Sequence, residues 1–214
     1  MITKVWNIIK SGIISDKKFV DKTLSFEKNK QFIKCMQGEF VYSPDRFAIS
    51  LVSPHSKVLS CGCGAGREVN FLVKERFCDV TAIDHSENII KLSKNQEPKA
   101  KYFTRSFVNY ISEDKFDFII CLWNTINYLP SKENRIKFIE SCYENLKEKG
   151  VLIIRSDTRD KNFSTFINSL LSKGRFYFKE KEIFEWFKNT EFKFRIININ
   201  NTNIILASKE NIFR

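Results

Sequence analysis

From Lys57 onward, short apolar runs alternate with longer segments that have helical spacing. Strands that alternate with helices favour a parallel sheet with helices packed on both faces. The strands are apolar along nearly their whole length, which indicates burial on both faces. The predicted strands are 58–60, 80–83, 101–104, 117–122 and 151–155, and the predicted helices are 68–75, 86–94 and 132–146. The pattern predicts an α/β fold with a doubly wound, Rossmann-like sheet.

The two ends of the chain follow a different pattern. Two strand-like runs, 192–199 and 203–208, are joined by the short polar segment 200–202, which favours a hairpin and an antiparallel edge. Helical stretches at 165–172 and 181–188 precede this hairpin. Residues 1–50 are mostly helical and amphipathic, and no linker follows them. We therefore expect a helical N-terminal cap, 1–50, on a domain that spans 51–214.

Charge alone does not decide the class of partner. The chain has 214 residues, 36 Lys and Arg against 25 Asp and Glu, and a formal net charge of +11. A basic balance assists contact with nucleic acid. Most lysines, however, alternate with acidic residues, as at 179–182, which is typical of solvated helix faces. A nucleic-acid partner therefore stays open but is not favoured.

Cysteine usage and hydropathy indicate a cytoplasmic protein. No apolar run is long and unbroken enough for a signal peptide or a membrane span, so we expect no membrane partner. Without an export signal, the six cysteines are expected to be reduced core thiols. The C-x-C pair has no second cysteine pair or histidine cluster to complete a zinc site, so no metal is expected. The cysteines are Cys35, Cys61, Cys63, Cys78, Cys121 and Cys142.

The strongest local motif is a glycine-rich turn. Gly62, Gly64 and Gly66 lie between the first predicted strand and the first helix. Glycines permit positive φ and a close approach of the backbone to a ligand, and a helix start offers free N–H groups. A dinucleotide fingerprint requires a glycine where Arg67 stands, and the Gly-Lys-Ser/Thr of a phosphate loop is absent.

An acidic residue follows at the spacing that a nucleoside site requires. Asp84 ends the second predicted strand, eighteen residues beyond Gly66. At the carboxyl edge of a parallel sheet it can accept hydrogen bonds from both hydroxyls of a ribose. Taken alone, the glycines are typical of a simple turn, and the acidic residue is typical of a helix cap. In this order within one strand–helix–strand unit, they favour a nucleoside ligand.

Three segments together with the C-terminal hairpin resemble class I S-adenosylmethionine-dependent methyltransferases. These segments are 58–95, 116–129 and 146–154. The resemblance implies a seven-stranded sheet, mostly parallel, with S-adenosylmethionine as the cofactor. It implies the methionine moiety over Gly62 to Gly66, the ribose on Asp84, and the adenine near His85 and the Ser106–Phe107 pair. Leu122 is a further candidate for a cofactor contact.

Two positions depart from the family pattern. An acid usually stands where Ser60 is, and another often accepts from the adenine where Ser106 follows Arg105. Ser60 and Ser106 are still expected to contact the cofactor, although a neutral acceptor binds more weakly than a charged one. A cofactor-binding module without turnover therefore stays open.

The loop after the fourth strand carries the remaining candidates. Trp123 and Tyr128 flank the expected cofactor mouth, where an aromatic face favours a sulfonium, although core packing also explains both. Asn124 and Asn127 are candidates for positioning a substrate, or are simply turn formers. Cys121 ends a buried strand and is interpreted as packing.

The expected reaction is methyl transfer to a small-molecule acceptor by direct in-line displacement. Such a transfer depends on geometry and the exclusion of water, so a base is not obligatory and no catalytic residue is assigned. Residues 1–50 and 158–190 are expected to form a lid. A magnesium site at Asp157 and Asp160 is not favoured, because no matching acid follows the fourth strand. The alternatives are an RNA or protein methyltransferase, suggested by the charge, and the degenerate binder. No motif indicates an oligomeric state.

Overall fold

The structure is a computed structural model that describes residues 43–157, 176–200 and 202–212. Within these ranges, seven strands form one sheet in the order β3-β2-β1-β4-β5-β7-β6. Strands β1 to β5 are parallel, and β7 is antiparallel to both β5 and β6. The predicted fold class is confirmed. The strands are β1 (Lys57–Cys61), β2 (Asp79–Asp84), β3 (Lys101–Thr104), β4 (Phe116–Cys121), β5 (Leu146–Asp157), β6 (Lys193–Ile199) and β7 (Thr202–Ser208).

Helices connect β1 to β2, β2 to β3 and β4 to β5, whereas residues 105–115, between β3 and β4, contain no helix. Two of these helices begin at serine caps: the Ser86 hydroxyl accepts from the Ile89 N–H at 3.1 Å, and the Ser131 hydroxyl accepts from the Asn134 N–H at 3.1 Å. The helices of the described ranges are α1 (Ser43–Ser50), α2 (Arg67–Arg76), α3 (Glu87–Gln96), α4 (Lys132–Asn145) and α5 (Glu180–Phe184), with a 3₁₀ helix at Thr125–Tyr128.

Each face of the sheet has its own core. Helices α1, α2 and α3 cover one face, and α4, α5 and the residues that follow α5 cover the other. Neighbouring residues of a strand point to opposite faces of the sheet. Val58 packs in the core under α1, α2 and α3, and Leu59 packs in the core under α4 and α5. Both faces are thus covered, which accounts for the continuous apolar runs in the sequence.

The strand order creates a crevice between β1 and β4. Strand β1 lies between β2 and β4, so the chain leaves β1 toward one edge of the sheet and leaves β4 toward the other. Ligands of open α/β sheets bind at such a switch point, outside the carboxyl ends of the strands. The loop 62–66, after β1, and the loop 122–127, after β4, lie at this point.

Strand β5 differs from its prediction. The sequence predicts a turn at 149–150 followed by a strand at 151–155, whereas β5 already begins at Leu146. Its pairing with β4 shifts register, so that Phe116 lies opposite Leu146 and Phe118 opposite Val151. The three residues 147–149 are exposed, which is compatible with their charge. At Gly150 a Cβ would lie 2.9 Å from the Phe116 carbonyl oxygen, so a side chain has no room there.

The predicted peripheral helices are described only in part. Of the cap 1–50, the structure describes helix α1, whose Ala48 and Ile49 are buried against the sheet. The predicted helix 165–172 lies outside the described residues. The predicted helix 181–188 ends early, at Phe184, and the following Trp186 and Phe187 pack into the core. The domain boundary at residue 50 stays a prediction.

The five described cysteines are free, buried thiols, as expected, while Cys35 lies outside the described residues. In the described part of the chain, no group of three or more His, Cys, Asp or Glu side chains is placed to hold a metal ion. None of the described helices is long and apolar enough to cross a membrane.

Candidate cofactor and acceptor site

The loop after β1 needs its glycines for two reasons. Gly62, Gly64 and Gly66 have φ values of +67°, +54° and +97°, in a region that L side chains rarely adopt. A Cβ on Gly62 would lie 2.3 Å from the Thr125 Cγ2 atom, and one on Gly66 would lie 2.4 Å from the Ser93 Oγ atom. The loop is therefore pressed between the residues after β4 and helix α3.

Asp84 closes the other side of this loop. Its side chain is buried, its Oδ2 atom accepts from the Gly64 N–H at 3.2 Å, and its Oδ1 atom accepts from the Ser86 N–H at 3.1 Å. The His85 Nδ1 atom lies 3.2 Å from Oδ1. A carboxylate offers about four lone-pair directions, so capacity remains for a ligand hydroxyl. The structure thus brings together the glycine loop, Asp84 and His85.

The other predicted cofactor residues are placed as follows. Ser60 is buried in β1 between Ala82 and Ile120, and Leu122 is buried just beyond the end of β4. Ser106 is exposed after β3. The Phe107 ring packs edge-to-face on Phe138 in the core, with 5.3 Å between ring centroids. The cofactor contacts assigned to these residues stay predictions.

A buried charged cluster beside the glycine loop was not predicted from the sequence. It consists of Asp45 on α1, Arg67 and Glu68 on α2, and Arg155 on β5, all less than a tenth exposed. The Asp45 Oδ1 atom lies 3.3 Å from Arg155 Nε, and its Oδ2 atom lies 3.9 Å from Arg67 Nη2. Arg67 also donates to Glu68 Oε1 at 2.7 Å. Carboxylates are therefore present beside the loop although position 60 carries a neutral serine.

Burial dominates the electrostatics of this cluster. Desolvation raises the pKa of Asp45 from 3.8 to about 6, although Arg155 and Arg67 favour its ionised form. The one signal in the sequence was Arg155, a charged residue at the end of the predicted apolar strand 151–155. No local pattern distinguishes Asp45 from a residue of a solvated helix.

The loop after β4 is fixed to the end of β5. The Asn124 side-chain amide donates to Asp157 Oδ2 at 2.7 Å. Asn127 Oδ1 accepts from the Asp157 N–H at 3.1 Å, and Asn127 Nδ2 donates to the Asp157 carbonyl oxygen at 3.3 Å. The Arg67 guanidinium lies 4.4 Å from the centre of the Trp123 ring, so one face of this ring is already occupied. Tyr128 is half-buried in the 3₁₀ helix.

Cys121 behaves as a packing residue. Its thiol is buried among core residues, and desolvation raises the pKa of this thiol well above its ordinary value. A thiol that stays protonated is a poor nucleophile. This agrees with the interpretation made from the sequence.

Comparison with known proteins shows which proteins this chain is similar to. Residues 58–150 match the family described as methyltransferase domain. The chain is 28% identical over 126 residues to carboxy-S-adenosyl-L-methionine synthase of Shewanella loihica, covering 55% of this chain and 51% of that protein. It is 31% identical over 121 residues to glycine/sarcosine N-methyltransferase of Aphanothece halophytica, covering 52% and 45%. The chain spans about half the length of these curated relatives.

A solved structure supports the same fold. A TehB-like SAM-dependent methyltransferase from Corynebacterium glutamicum aligns with a TM-score of 0.66 and 16% identity, over 89% of this chain and 99% of that one. The match over residues 58–150, the named relatives and the shared fold together support a class I S-adenosylmethionine-dependent methyltransferase, and they imply S-adenosylmethionine as the cofactor.

The residues of the crevice fit this cofactor. Gly62 and Gly66 leave no room for a side chain, so the loop can keep its close packing only with glycine at these positions. The Asp84 carboxylate lies within hydrogen-bonding distance of the same loop, where a ribose next to the loop would meet it. The site therefore retains both elements that the spacing of the sequence predicts.

Proposed function

We propose that this chain transfers the methyl group of S-adenosylmethionine to a small-molecule acceptor by direct in-line displacement. The observation that carries the proposal is the contact between the glycine loop and the Asp84 carboxylate, at the switch point between β1 and β4. The chemistry that the bound cofactor supplies is a methyl group made electrophilic by a sulfonium.

The residues of the crevice act by binding and positioning. Asp84 is proposed to accept from the ribose hydroxyls, with its carboxylate held by the backbone of Gly64 and Ser86. The loop of Trp123 and Asn124 lies on the other side of the switch point and is proposed to face the acceptor. Holding the reacting groups in line supplies most of the acceleration that such a transfer needs. No general base is assigned, because in-line transfer does not require one for every acceptor.

Two observations support a small acceptor. The polar side chain of Asn124, at the switch point, is almost fully buried, which suits a ligand enclosed by the fold. The relatives include proteins named for the N-methylation of glycine and sarcosine, which are small molecules.

An RNA or protein acceptor is the second candidate, and the net charge of +11 favours it. A cofactor-binding module without turnover is the third, and it rests on Ser60 and Ser106. Both alternatives can be distinguished from a small-molecule methyltransferase by following whether the methyl group reaches a small molecule, RNA or protein, or no acceptor.

The first experiment measures cofactor binding. The purified chain is titrated calorimetrically with S-adenosylmethionine and with S-adenosylhomocysteine. Asp84→Ala is expected to weaken both affinities by at least tenfold, because hydrogen bonds to a charged group contribute about 1.5–3 kcal/mol. The matched control is Asp79→Ala, at the amino end of the same strand, where the carboxylate is half exposed. If the folded wild type binds neither ligand, the proposal is wrong.

The second experiment follows the methyl group. The chain is incubated with methyl-labelled S-adenosylmethionine and a cell extract separated into low-molecular-mass, RNA and protein fractions. Label in the low-molecular-mass fraction supports the proposal. Label in RNA that decreases with rising salt supports the second candidate, and cofactor binding without label in any fraction supports the third.

A further inference from the structure

The residues that follow β4 have an unusual backbone. Trp123 and Asn124 have φ values of +53° and +60°, two consecutive non-glycine residues in the left-handed region. Asparagine tolerates this region better than most residues, whereas a bulky side chain such as tryptophan rarely adopts it. Such strain costs about 1–3 kcal/mol per residue and persists where the surrounding structure imposes it, often at functional sites.

The Asn124 side chain is held by a hydrogen bond to Asp157. Its amide nitrogen donates to Asp157 Oδ2 at 2.7 Å, and an ionised carboxylate can only accept. The identities of the amide nitrogen and oxygen are therefore fixed by their neighbour. Asn127 in turn holds the backbone of Asp157 through its Oδ1 atom, which accepts from the Asp157 N–H at 3.1 Å.

The Asn124 oxygen is a buried acceptor. The residue is only 3% exposed, and among the described residues no hydrogen-bond donor reaches its Oδ1 atom. A buried polar atom without a partner costs about 1–3 kcal/mol, so an accepting oxygen at this place requires a reason. A ligand that donates a hydrogen bond to it would supply one.

The position of Asn124 ties it to the cofactor loop. The next residue, Thr125, occupies the space in which a Cβ of Gly62 would lie, with 2.3 Å between that Cβ and Thr125 Cγ2. The preceding residue, Trp123, packs against the guanidinium of Arg67. Arg67 directly follows Gly66 in the chain. Asn124 is thus flanked by residues that contact both ends of the glycine loop.

We propose that the acceptor is an amine that carries at least one N–H, and that this N–H donates to Asn124 Oδ1. This inference rests on the proposed function. In the transfer, the nitrogen lone pair forms the new N–C bond to the methyl carbon while the C–S bond breaks and its electron pair stays on sulfur. The nitrogen becomes positively charged and then releases a proton to water. The acceptor therefore binds the amide oxygen more tightly as its charge develops.

A hydrogen bond that strengthens in the transition state accelerates the reaction itself. An amide oxygen suits an amine because a neutral amine attacks without prior loss of a proton. A hydroxyl acceptor, in contrast, needs a base, and an amide is not one. The nearest carboxylate, Asp157, is engaged by Asn124 and lies 3.6 Å from Arg155 Nη2.

The test identifies the methylated atom. The full wild-type chain is incubated with S-adenosylmethionine carrying a ¹³C-methyl group and with a low-molecular-mass cell extract, and the product is examined by carbon NMR. A methyl group bound to nitrogen is expected. A methyl group bound to oxygen, sulfur or carbon overturns the inference and leaves the proposed function standing. If no methylated low-molecular-mass product forms at all, both the inference and the proposed function are refuted. The calorimetric titration of the wild type with S-adenosylmethionine then shows whether cofactor binding or methyl transfer failed.

The role of Asn124 is tested with Asn124→Gly, because glycine accepts φ near +60° and only the amide is lost. The expected result is a loss of about a hundredfold in kcat, as for removal of one transition-state hydrogen bond, with unchanged affinity for S-adenosylmethionine. The control is His55→Gly, at an exposed residue with φ of +62° at the opposite edge of the sheet. Unchanged kcat in Asn124→Gly, or an equal loss of cofactor affinity, would overturn the assignment.

Discussion

The close contact between the two loops of the switch point can be tested by a single methyl group. Gly62→Ala adds a Cβ at a residue with φ of +67°, and this atom would lie 2.3 Å from the Thr125 Cγ2 atom. It would also lie 3.1 Å from Thr125 Oγ1. The variant therefore combines backbone strain with a steric overlap, and the two contributions can be separated.

The expected magnitude follows from these two contributions. Left-handed backbone costs an L residue about 1–2 kcal/mol, and the stiffer unfolded chain offsets about 0.4–1 kcal/mol of this. An overlap of more than 1 Å with a packed methyl group costs about 1–3 kcal/mol. Gly62→Ala should therefore lower the free energy of unfolding by about 2–4 kcal/mol.

The assay is urea unfolding, and a second substitution isolates the overlap. Thr125→Ser removes Cγ2 but keeps the hydroxyl that donates to the Leu122 carbonyl oxygen at 2.8 Å. In the double variant Gly62→Ala/Thr125→Ser, about 1–2 kcal/mol should be regained relative to the sum of the single changes. Strict additivity of the two substitutions would refute the contact between Gly62 and Thr125.

Two further predictions concern buried polar groups. Asp45 has a folded-state pKa of about 6 against 3.8, so its contribution to stability is fully present below about pH 4 and is lost as the pH rises through 6. The free energy of unfolding of Asp45→Asn, measured with urea, should accordingly rise by about 3 kcal/mol relative to that of the wild type between pH 4 and 7. A difference between the two proteins that does not change with pH would contradict the raised pKa of Asp45. The side chain of Asn145 is fully buried. Its amide nitrogen donates to the Tyr110 carbonyl oxygen, and its amide oxygen accepts from the Ser112 N–H at 2.8 Å. Asn145→Ala should cost about 2–4 kcal/mol in thermal or urea unfolding, whereas the exposed Asn109→Ala should cost less than about 0.5 kcal/mol.

The local features of the site were predictable from the sequence. The spacing of Gly62, Gly64 and Gly66 and the position of Asp84 predict a cofactor crevice, and the structure places the Asp84 carboxylate against the loop. These features are local because a positive φ strongly favours glycine and a strand end is marked by its apolar run. The alternation of strands and helices fixes the parallel sheet for the same reason.

The buried charged cluster could not be predicted in this way. Asp45 and Arg155 are separated by more than a hundred residues, and they meet because α1 packs on the face of β5 that carries Arg155. The contact of Asn124 with Asp157 likewise depends on β4 and β5 being neighbours in register. A residue type alone does not indicate such partners.

The sequence by itself thus determined the class of fold, the glycine loop and Asp84, because backbone conformation and periodicity are properties of short segments. Only the tertiary structure decided the order of β5, β7 and β6, the exposed insertion at 147–149 and the pairing of buried charges. These depend on which strands become neighbours and in which register. The free energy of such contacts arises between segments that are distant in the sequence. The sequence of a single segment therefore cannot predict them.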